Sequence, residues 1–153
     1  MNPLELKIPP VALGLIVALL MWLTSLAAPV FGFIFPGRLP CSTGLILLGA
    51  AISISGVVSF RRARTTVNPT TPAAASTLVV SGIYNFTRNP MYLGFLMALL
   101  GWGVFLSNAL ALGLIPGFVI FMNRFQIRPE ERALASRFGH DFSAYKTRVR
   151  RWV

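Results

Sequence analysis

Two polar segments of the chain contain the residues whose types and spacing could support chemistry. The first segment contains, in chain order, Tyr84, Arg88, Asn89, Pro90, Tyr92, Leu93 and Gly94. The second is Arg128-Pro129-Glu130-Glu131, which holds two of the four acidic residues in the protein. Arginine and carboxylate side chains form the strong, charge-assisted hydrogen bonds that orient small molecules. These two segments are therefore the candidate functional residues.

Ordinary helix architecture explains part of both segments. Asn89 can cap a helix whose first residue is Pro90, and Arg88 can bind a lipid phosphate. A carboxylate shortly after Pro129 is favourable near the positive end of a helix dipole, by about 0.3–1 kcal/mol. That role needs one acid only. In the other segment, neither a helix cap nor a lipid contact requires two tyrosines and a glycine around Arg88. The residues alone therefore leave a binding function and a structural function both open.

The composition predicts that lipid surrounds most of the chain. Of 153 residues, 55% are hydrophobic and 12% are charged, whereas about 25% are charged in soluble domains. The length fits one domain, residues 1–153. Apolar runs long enough to cross or nearly cross a bilayer occupy about residues 8–28, 42–60, 91–107 and 109–123. The expected fold is an all-α membrane protein with about four transmembrane helices.

The last two apolar runs predict a tight helical hairpin, because only Ser107 and Asn108 separate them. Pro116-Gly117 is expected to kink the second arm. In the tail, residues 124–153, apolar side chains recur at spacings of three and four: Leu134, Phe138, Phe142, Tyr145 and Val149. This spacing predicts an amphipathic helix, which Gly139 should interrupt. The helix either shields the candidate site from water or lies on an anionic membrane surface.

Basic residues predict the orientation of the chain. They cluster between the second and third runs and after the fourth, while residues 29–41 contain only Arg38. Cytoplasmic loops carry the excess of Lys and Arg, so both termini and the candidate site are expected on the cytoplasmic face of the plasma (inner) membrane. Residues 67–76, in the loop between the second and third runs, are predicted to form a turn-rich connector.

Several other kinds of protein do not fit the sequence. The chain has one cysteine, Cys41, and one histidine, His140, so an internal disulfide is impossible and no metal site is expected. His140 is expected in a solvated loop. The net charge of +10 comes from basic residues that flank apolar runs. Because they do not form a separate polar domain, nucleic acid is not an expected partner.

The two polar segments together resemble the isoprenylcysteine carboxyl methyltransferase and phospholipid methyltransferase-like families of membrane enzymes. The resemblance extends from Ser81 to the C-terminus and includes, after the hairpin, Glu130-Glu131-x-x-Leu134, Phe138-Gly139, Tyr145 and Arg150-Arg151-Trp152. Eukaryotic members usually have histidine where this chain has Asn89, and bacterial relatives often read Arg-Asn-Pro. The substitution leaves the family resemblance intact and the methyl acceptor open.

The resemblance implies methyl transfer from S-adenosylmethionine to a lipophilic acceptor at the cytoplasmic membrane face, with S-adenosylhomocysteine as product and no metal. It implies catalytic roles for Arg88, Glu130 and Glu131. The donor would contact Tyr84, Asn89, Pro90, Tyr92, Leu93, Gly94 and Glu130. Tyrosine faces would attract the sulfonium with about 0.5–2 kcal/mol, and the arginine would pair with the donor's carboxylate or orient an anionic acceptor.

The remaining site residues have simpler implied roles. Either glutamate would accept hydrogen bonds from the donor's amino group or its ribose. Leu93 would cover the adenine, and Gly94 would let the ligand or a neighbouring backbone come close. The expected partners are the acceptor and membrane lipids, and the sequence makes no prediction of the oligomeric state.

Two alternatives to this function stay open. The acceptor is a prenylated cysteine carboxylate in one interpretation, and a phospholipid or a small lipophilic thiol or amine in another. A protein of a different class, a non-catalytic membrane subunit with the same fold, would use Arg88 and the basic tail to bind anionic lipid.

Overall fold

A computed structural model describes residues 5–64 and 76–153 of the chain, and these residues form helices with no β-strand among them. The α-helices, in order, are α1 (Pro10–Ala27), α2 (Arg38–Arg62), α3 (Pro90–Leu106), α4 (Ala109–Leu112), α5 (Ile115–Phe121) and α6 (Arg128–Arg148). Short 3-10 turns occupy Pro29–Phe31 and Gly82–Asn85, and a π-helical segment occupies Met122–Ile127. The connector predicted at 67–76 lies outside the described residues except for Ser76.

The described helices have the length and composition of a membrane protein. Three helical stretches are long and apolar enough to cross a bilayer: α1, α2 and the run from Ala109 to Arg148. The fourth apolar helix, α3, has 17 residues, a length of about 26 Å at 1.5 Å per residue. The prediction of an all-α membrane protein is thereby confirmed, and the count of four spans stays a prediction.

Small residues let α2 and α3 pack in close contact. A Cβ atom on Gly49 of α2 would lie 2.5 Å from the carbonyl oxygen of Gly94 in α3, and one on Gly94 would overlap the Ser53 Oγ. The Ser53 hydroxyl also donates a hydrogen bond to the Met91 carbonyl at 3.2 Å. Gly94 thus serves the contact between the two helices, which is how small residues bring helices together where lipid supplies no hydrophobic drive.

The predicted hairpin turn is present between α3 and α4. Ser107 adopts a left-handed conformation (φ 50°) that ends α3, and the Asn108 Oδ1 accepts a hydrogen bond from the Ala111 N–H at 3.0 Å to start α4. The Asn108 Nδ2 donates to the Ala28 carbonyl at 2.9 Å, and the Phe33 N–H donates to the Ser107 carbonyl at 2.8 Å. These bonds attach the hairpin turn to the loop that joins α1 and α2.

The second arm of the hairpin differs from the single helix predicted at 109–123. It breaks at Gly113-Leu114 and starts again as α5, with Pro116 in the first turn. Proline fits there because the first turn needs no donor from its nitrogen. The prediction that the helix ends at 123 is also wrong, since the chain continues through the π-helical segment into α6.

The helix continues past the predicted end although it contains Pro129. A proline inside a helix cannot donate to the carbonyl four residues earlier, and its ring crowds that carbonyl. The carbonyl in question is that of Phe125, and it accepts a hydrogen bond from the Leu6 N–H at 3.1 Å instead. The wider π turns of Met122–Ile127 lie directly before the proline. The N-terminal segment therefore lies at the same end of the bundle as the start of α6.

Two apolar clusters stabilise the fold. The larger joins α1, α3, α4 and α5 and includes the fully buried Met21, Phe118 and Met122. The smaller joins the second half of α6 to the segment before α3 and contains Val79, Tyr84, Phe142, Tyr145 and Val149. The apolar face predicted for the tail thus packs onto the segment before α3. Gly139 has non-helical angles (φ 47°, ψ −115°), which confirms the predicted interruption; His140 follows it in helix α6, not in a loop.

Candidate functional site

The two polar segments meet at the end of the bundle where α3 and α6 begin. Pro90 starts α3, so Arg88 and Asn89 lie in the extended stretch immediately before it. Pro129 lies in the first turn of α6, followed by both glutamates. The tertiary fold therefore brings together residues about 40 positions apart, as the sequence predicts.

Glu131 is bound by two arginines. Its Oε1 accepts hydrogen bonds from the Arg88 Nη2 at 2.8 Å and the Arg151 Nε at 3.1 Å, and its Oε2 accepts from the Arg151 Nη2 at 2.6 Å. The side chains of Arg88 and Glu131 are 10% and 13% exposed, and that of Arg151 is 30% exposed. The charge of Glu131 is therefore compensated within the protein.

The end of the chain is held against the start of α3. The Arg88 Nη1 donates to the Val149 carbonyl at 2.9 Å, and the Arg88 backbone N–H donates to the Arg150 carbonyl at 3.0 Å. The Asn89 Nδ2 donates to the Arg151 carbonyl at 2.8 Å. The predicted cap is thus corrected: the Asn89 side chain makes no capping hydrogen bond to α3, and its NH2 group binds the chain end.

Glu130 has a different environment from its neighbour. The Tyr92 hydroxyl and the Gln126 Nε2 both donate hydrogen bonds to its Oε1. Among the described residues, no lysine or arginine forms an ion pair with Glu130. A partly buried carboxylate with only neutral partners has no opposite charge in its described surroundings to compensate its ionised form. Of the two glutamates, Glu130 is therefore the one suited to a positively charged ligand.

Tyr84 lies in the smaller apolar cluster. Its ring contacts the Phe60 ring edge-on at 5.4 Å, and its carbonyl accepts a hydrogen bond from the Tyr145 hydroxyl at 2.8 Å. Burial, together with the nearby Tyr145 and Glu130, raises the pKa of the Tyr84 hydroxyl well above its usual value. The phenol therefore stays neutral at physiological pH. Leu93 is half-buried and belongs to neither apolar cluster of the described residues.

An apolar cavity of about 530 Å³ adjoins the polar cluster. Residues from α1, α2 and α3 line it, among them Val11, Ile54, Val57, Arg61, Tyr92 and Phe95. Tyr92 is shared, because its ring lines the cavity while its hydroxyl contacts Glu130. Ligand-binding pockets typically have volumes of about 300–1,000 Å³ and mostly apolar walls. Through Tyr92 the cavity and the glutamate are neighbours and together make one candidate site.

Comparison with known proteins identifies the family. The family model described as phospholipid methyltransferase matches residues 38–141. The chain belongs to this family. The match extends from the start of α2 into α6 and so includes both polar segments.

Three individual proteins are similar to this chain, and two of them have methyltransferase names. An uncharacterized protein of Haemophilus influenzae is 48% identical over 64 residues, which are 41% of this chain and 100% of that protein. Two proteins named protein-S-isoprenylcysteine O-methyltransferase also match. The one from Saccharomyces cerevisiae is 35% identical over 75 residues, 47% of this chain and 30% of its own. The one from Xenopus laevis is 37% identical over 76 residues, 48% of this chain and 25% of its own.

These relatives confirm the predicted resemblance to both methyltransferase families. The match spans less than a third of the length of either named methyltransferase. No solved structure matches the chain.

Three residues of this family member's site were not among those predicted. Gln126 is one helical turn before Glu130, a spacing that could have signalled their contact. Arg151 belongs to the Arg150-Arg151-Trp152 motif of the resemblance, but nothing local in the sequence points it toward Glu131. Asn123, in the π-helical segment, accepts a hydrogen bond from the Trp152 Nε1 at 3.2 Å. π-helical turns often occur at functional sites.

Proposed function

We propose that this protein transfers a methyl group from S-adenosylmethionine to a lipophilic acceptor at the cytoplasmic face of the membrane. The observation that carries the proposal is the position of Glu130, a carboxylate without a cationic partner among the described residues. Tyr92 connects it to an apolar cavity. A cationic donor and a lipophilic acceptor are the two ligands that such a junction suits. Membership of a methyltransferase family supports the same reaction.

The residues present fit the methyl donor, which carries a sulfonium, an ammonium and a carboxylate. Tyr92 and Gln126 both bind the Oε1 of Glu130, and the described residues make no recorded hydrogen bond to its Oε2, which suits an ammonium or hydroxyl donor. The Arg88 Nε is buried without a hydrogen-bond partner among the described residues. A buried unpaired donor is costly, so an acceptor such as the donor's carboxylate suits this position.

The two adjacent glutamates have separate roles in this proposal. Glu130 binds the donor, while Glu131 positions Arg88 through an ion pair and forms a second ion pair with Arg151. Asn89 and Pro90 set the direction in which α3 leaves this cluster. Tyr84 and Leu93 contribute apolar surface beside the donor, and Gly94 acts through the packing of α3 on α2.

The bound donor supplies an activated methyl group that an acceptor can take by in-line displacement. The chain's own residues align the reactants and exclude water, which is the greater part of such catalysis. The hydrogen bond from Tyr92, a residue that lines the cavity, fixes the carboxylate of Glu130. The cavity walls, from Val11 in α1 to Phe95 in α3, keep the acceptor's apolar part dry. The reaction needs no metal in this scheme.

Positive charge supports the cytoplasmic placement of the site. Arg61 and Arg62 end α2 at the site's end of the bundle, Arg64 follows them, and α6 adds further basic residues. At the opposite end, residues 29–41 contain one basic residue, Arg38. By the preference of cytoplasmic loops for Lys and Arg, the site faces the cytoplasm of the plasma (inner) membrane.

Calorimetry with S-adenosylhomocysteine tests the donor site in purified protein. Glu130→Gln removes the charge and keeps the shape, so the affinity should fall about 10- to 100-fold, the equivalent of a charge-assisted hydrogen bond of about 1.5–3 kcal/mol. Asp141→Asn is the matched control, since it removes an exposed acid elsewhere on α6 and should leave the affinity unchanged. If the wild-type protein binds no S-adenosylhomocysteine, the chain is a non-catalytic member of its family and the proposal is wrong.

A further inference from the structure

The segment before α1, residues 5–9, makes two separate contacts with the other end of the described chain, and we call it the N-terminal strap. The Leu6 N–H donates to the Phe125 carbonyl at 3.1 Å, and the Glu5 Oε2 pairs with the Arg132 Nη2 at 2.7 Å. Phe125 belongs to the π-helical segment, and Arg132 belongs to α6. The strap therefore contacts the chain on both sides of the junction between these two helical elements.

Leu6 is held in a backbone conformation that leucine rarely adopts. Its φ of 59° lies in the left-handed region, where a Cβ atom comes too close to the backbone. Such a conformation persists only where the surrounding contacts determine it. Ile8 packs against the larger apolar cluster, and Pro10 begins α1, so the strap is fixed to the bundle directly after this turn. The turn at Leu6 thus directs a backbone N–H from a fixed base toward the π-helical segment.

The π-helical segment determines the direction in which α6 presents Glu130. A π turn contains one residue more than an α turn, so the helix that follows it is rotated by about 100° relative to an unbroken α-helix. Before the turn, Phe118 and Met122 are fully buried in the larger apolar cluster. Loss of the π geometry would therefore rotate the start of α6, and the Glu130 carboxylate would move away from the Tyr92 hydroxyl that donates to it.

We infer that the N-terminal strap positions Glu130 by holding the π-helical segment and α6 in this relative rotation. Leu6 binds the carbonyl that Pro129 leaves without its usual helical donor, and Glu5 holds the first turns of α6 through Arg132. The role of the strap rests on the proposed function and deepens it with two positioning residues. Both lie outside the part of the chain that the family model matches.

Two substitutions at Leu6 separate its backbone hydrogen bond from its side chain. Leu6→Pro removes the N–H and requires a negative φ, whereas Leu6→Gly keeps the N–H and adopts a positive φ readily. In ligand-free protein, amide hydrogen exchange across residues 122–130 should be about tenfold faster in Leu6→Pro and close to the wild-type rate in Leu6→Gly. Mass spectrometry of the peptides measures this rate. Faster exchange in both variants, or in neither, would overturn the inference.

Calorimetry with S-adenosylhomocysteine measures the effect on the donor site. Leu6→Pro should weaken binding about tenfold, and Leu6→Gly should match the wild type. Glu5→Gln removes the more exposed contact and should weaken binding about two- to threefold. Because Glu5→Gln leaves the backbone unchanged, it gives the same test if Leu6→Pro does not fold, and wild-type affinity in Glu5→Gln would then refute the role of the strap.

A double-mutant cycle distinguishes positioning from a general loss of stability. In a Tyr92→Phe background the hydrogen bond from Tyr92 to Glu130 is already absent, so Leu6→Pro should cause little further loss of S-adenosylhomocysteine affinity. A general loss of stability would instead reduce the affinity by the same factor in both backgrounds. Full additivity of Leu6→Pro and Tyr92→Phe would therefore contradict the inference.

Hydrogen exchange needs no ligand and so separates the strap from the proposed function. If the wild type binds S-adenosylhomocysteine and all the strap variants bind it equally well, the strap has no positioning role and the methyltransferase proposal stands. If Leu6→Pro and Leu6→Gly differ in exchange but the wild type binds no S-adenosylhomocysteine, the methyltransferase proposal fails. The strap is then a structural contact only, and its role in positioning a donor site fails as well.

Discussion

Replacing Glu131 by glutamine should lower the free energy of unfolding, although the adjacent Glu130 is proposed to act in ligand binding. The Glu131 carboxylate accepts three hydrogen bonds from Arg88 and Arg151, at 2.8, 3.1 and 2.6 Å. A glutamine keeps one acceptor oxygen but presents an NH2 group to an arginine donor. The change therefore leaves two guanidinium groups facing each other without an anion between them.

The exposure of these side chains sets the size of the effect. Removing one partner of a fully buried ion pair costs about 3–5 kcal/mol, whereas an exposed pair contributes about 0–1 kcal/mol. Glu131 and Arg88 are 13% and 10% exposed, and Arg151 is 30% exposed. Glu131→Gln should therefore lower the free energy of unfolding by about 2–3 kcal/mol, between the two limits. For a chain of this length that corresponds to a fall in Tm of roughly 5–10 °C.

Thermal unfolding in detergent, followed by tryptophan fluorescence, measures this effect. The matched control is Glu5→Gln, which breaks the Glu5–Arg132 pair at 2.7 Å, whose arginine is 61% exposed. The control should lower the free energy of unfolding by about 1 kcal/mol or less. Combining Glu131→Gln with Arg151→Gln should cost less than the sum of the two single changes, because they share one interaction. If Glu131→Gln and Glu5→Gln have the same Tm, the assignment of a positioning role to Glu131 is refuted.

Two further predictions concern helix packing and orientation. Gly94→Ala should lower the free energy of unfolding by about 1–3 kcal/mol, because a methyl group there overlaps α2. The control variant Gly44→Ala should leave the free energy of unfolding unchanged, because the space around Gly44 is open. Equal Tm values for both variants would contradict the packing role. With Cys41 replaced by Ser, a cysteine at Ile34 should react with an impermeant maleimide in intact cells, and one at Ser143 only after permeabilisation. The reverse labelling pattern would place the site outside the cytoplasm.

The sequence predicts the elements of the fold well wherever a local pattern decides them. The hairpin turn at Ser107-Asn108 follows from two polar residues between apolar runs, and the interruption at Gly139 from a residue free to adopt positive φ. The predicted end of the hairpin's second arm is wrong, because the apolar content of the sequence falls after residue 123 while the helix continues. The Leu6 N–H bond to the Phe125 carbonyl contributes to that continuity, and no local pattern reveals it.

The sequence by itself determined that this is a helical membrane protein and which two segments carry its family resemblance. Both properties are local: apolar runs set the helices, and motifs of a few residues identify the family. Only the tertiary structure decided that adjacent Glu130 and Glu131 differ, since the arginines that neutralise Glu131 come from 43 residues before it and 20 residues after it. It also decided that Arg61, and not Arg62, lines the cavity. The free energy of a charge depends on which partners the fold brings within a few ångströms, and these partners are distant in the sequence.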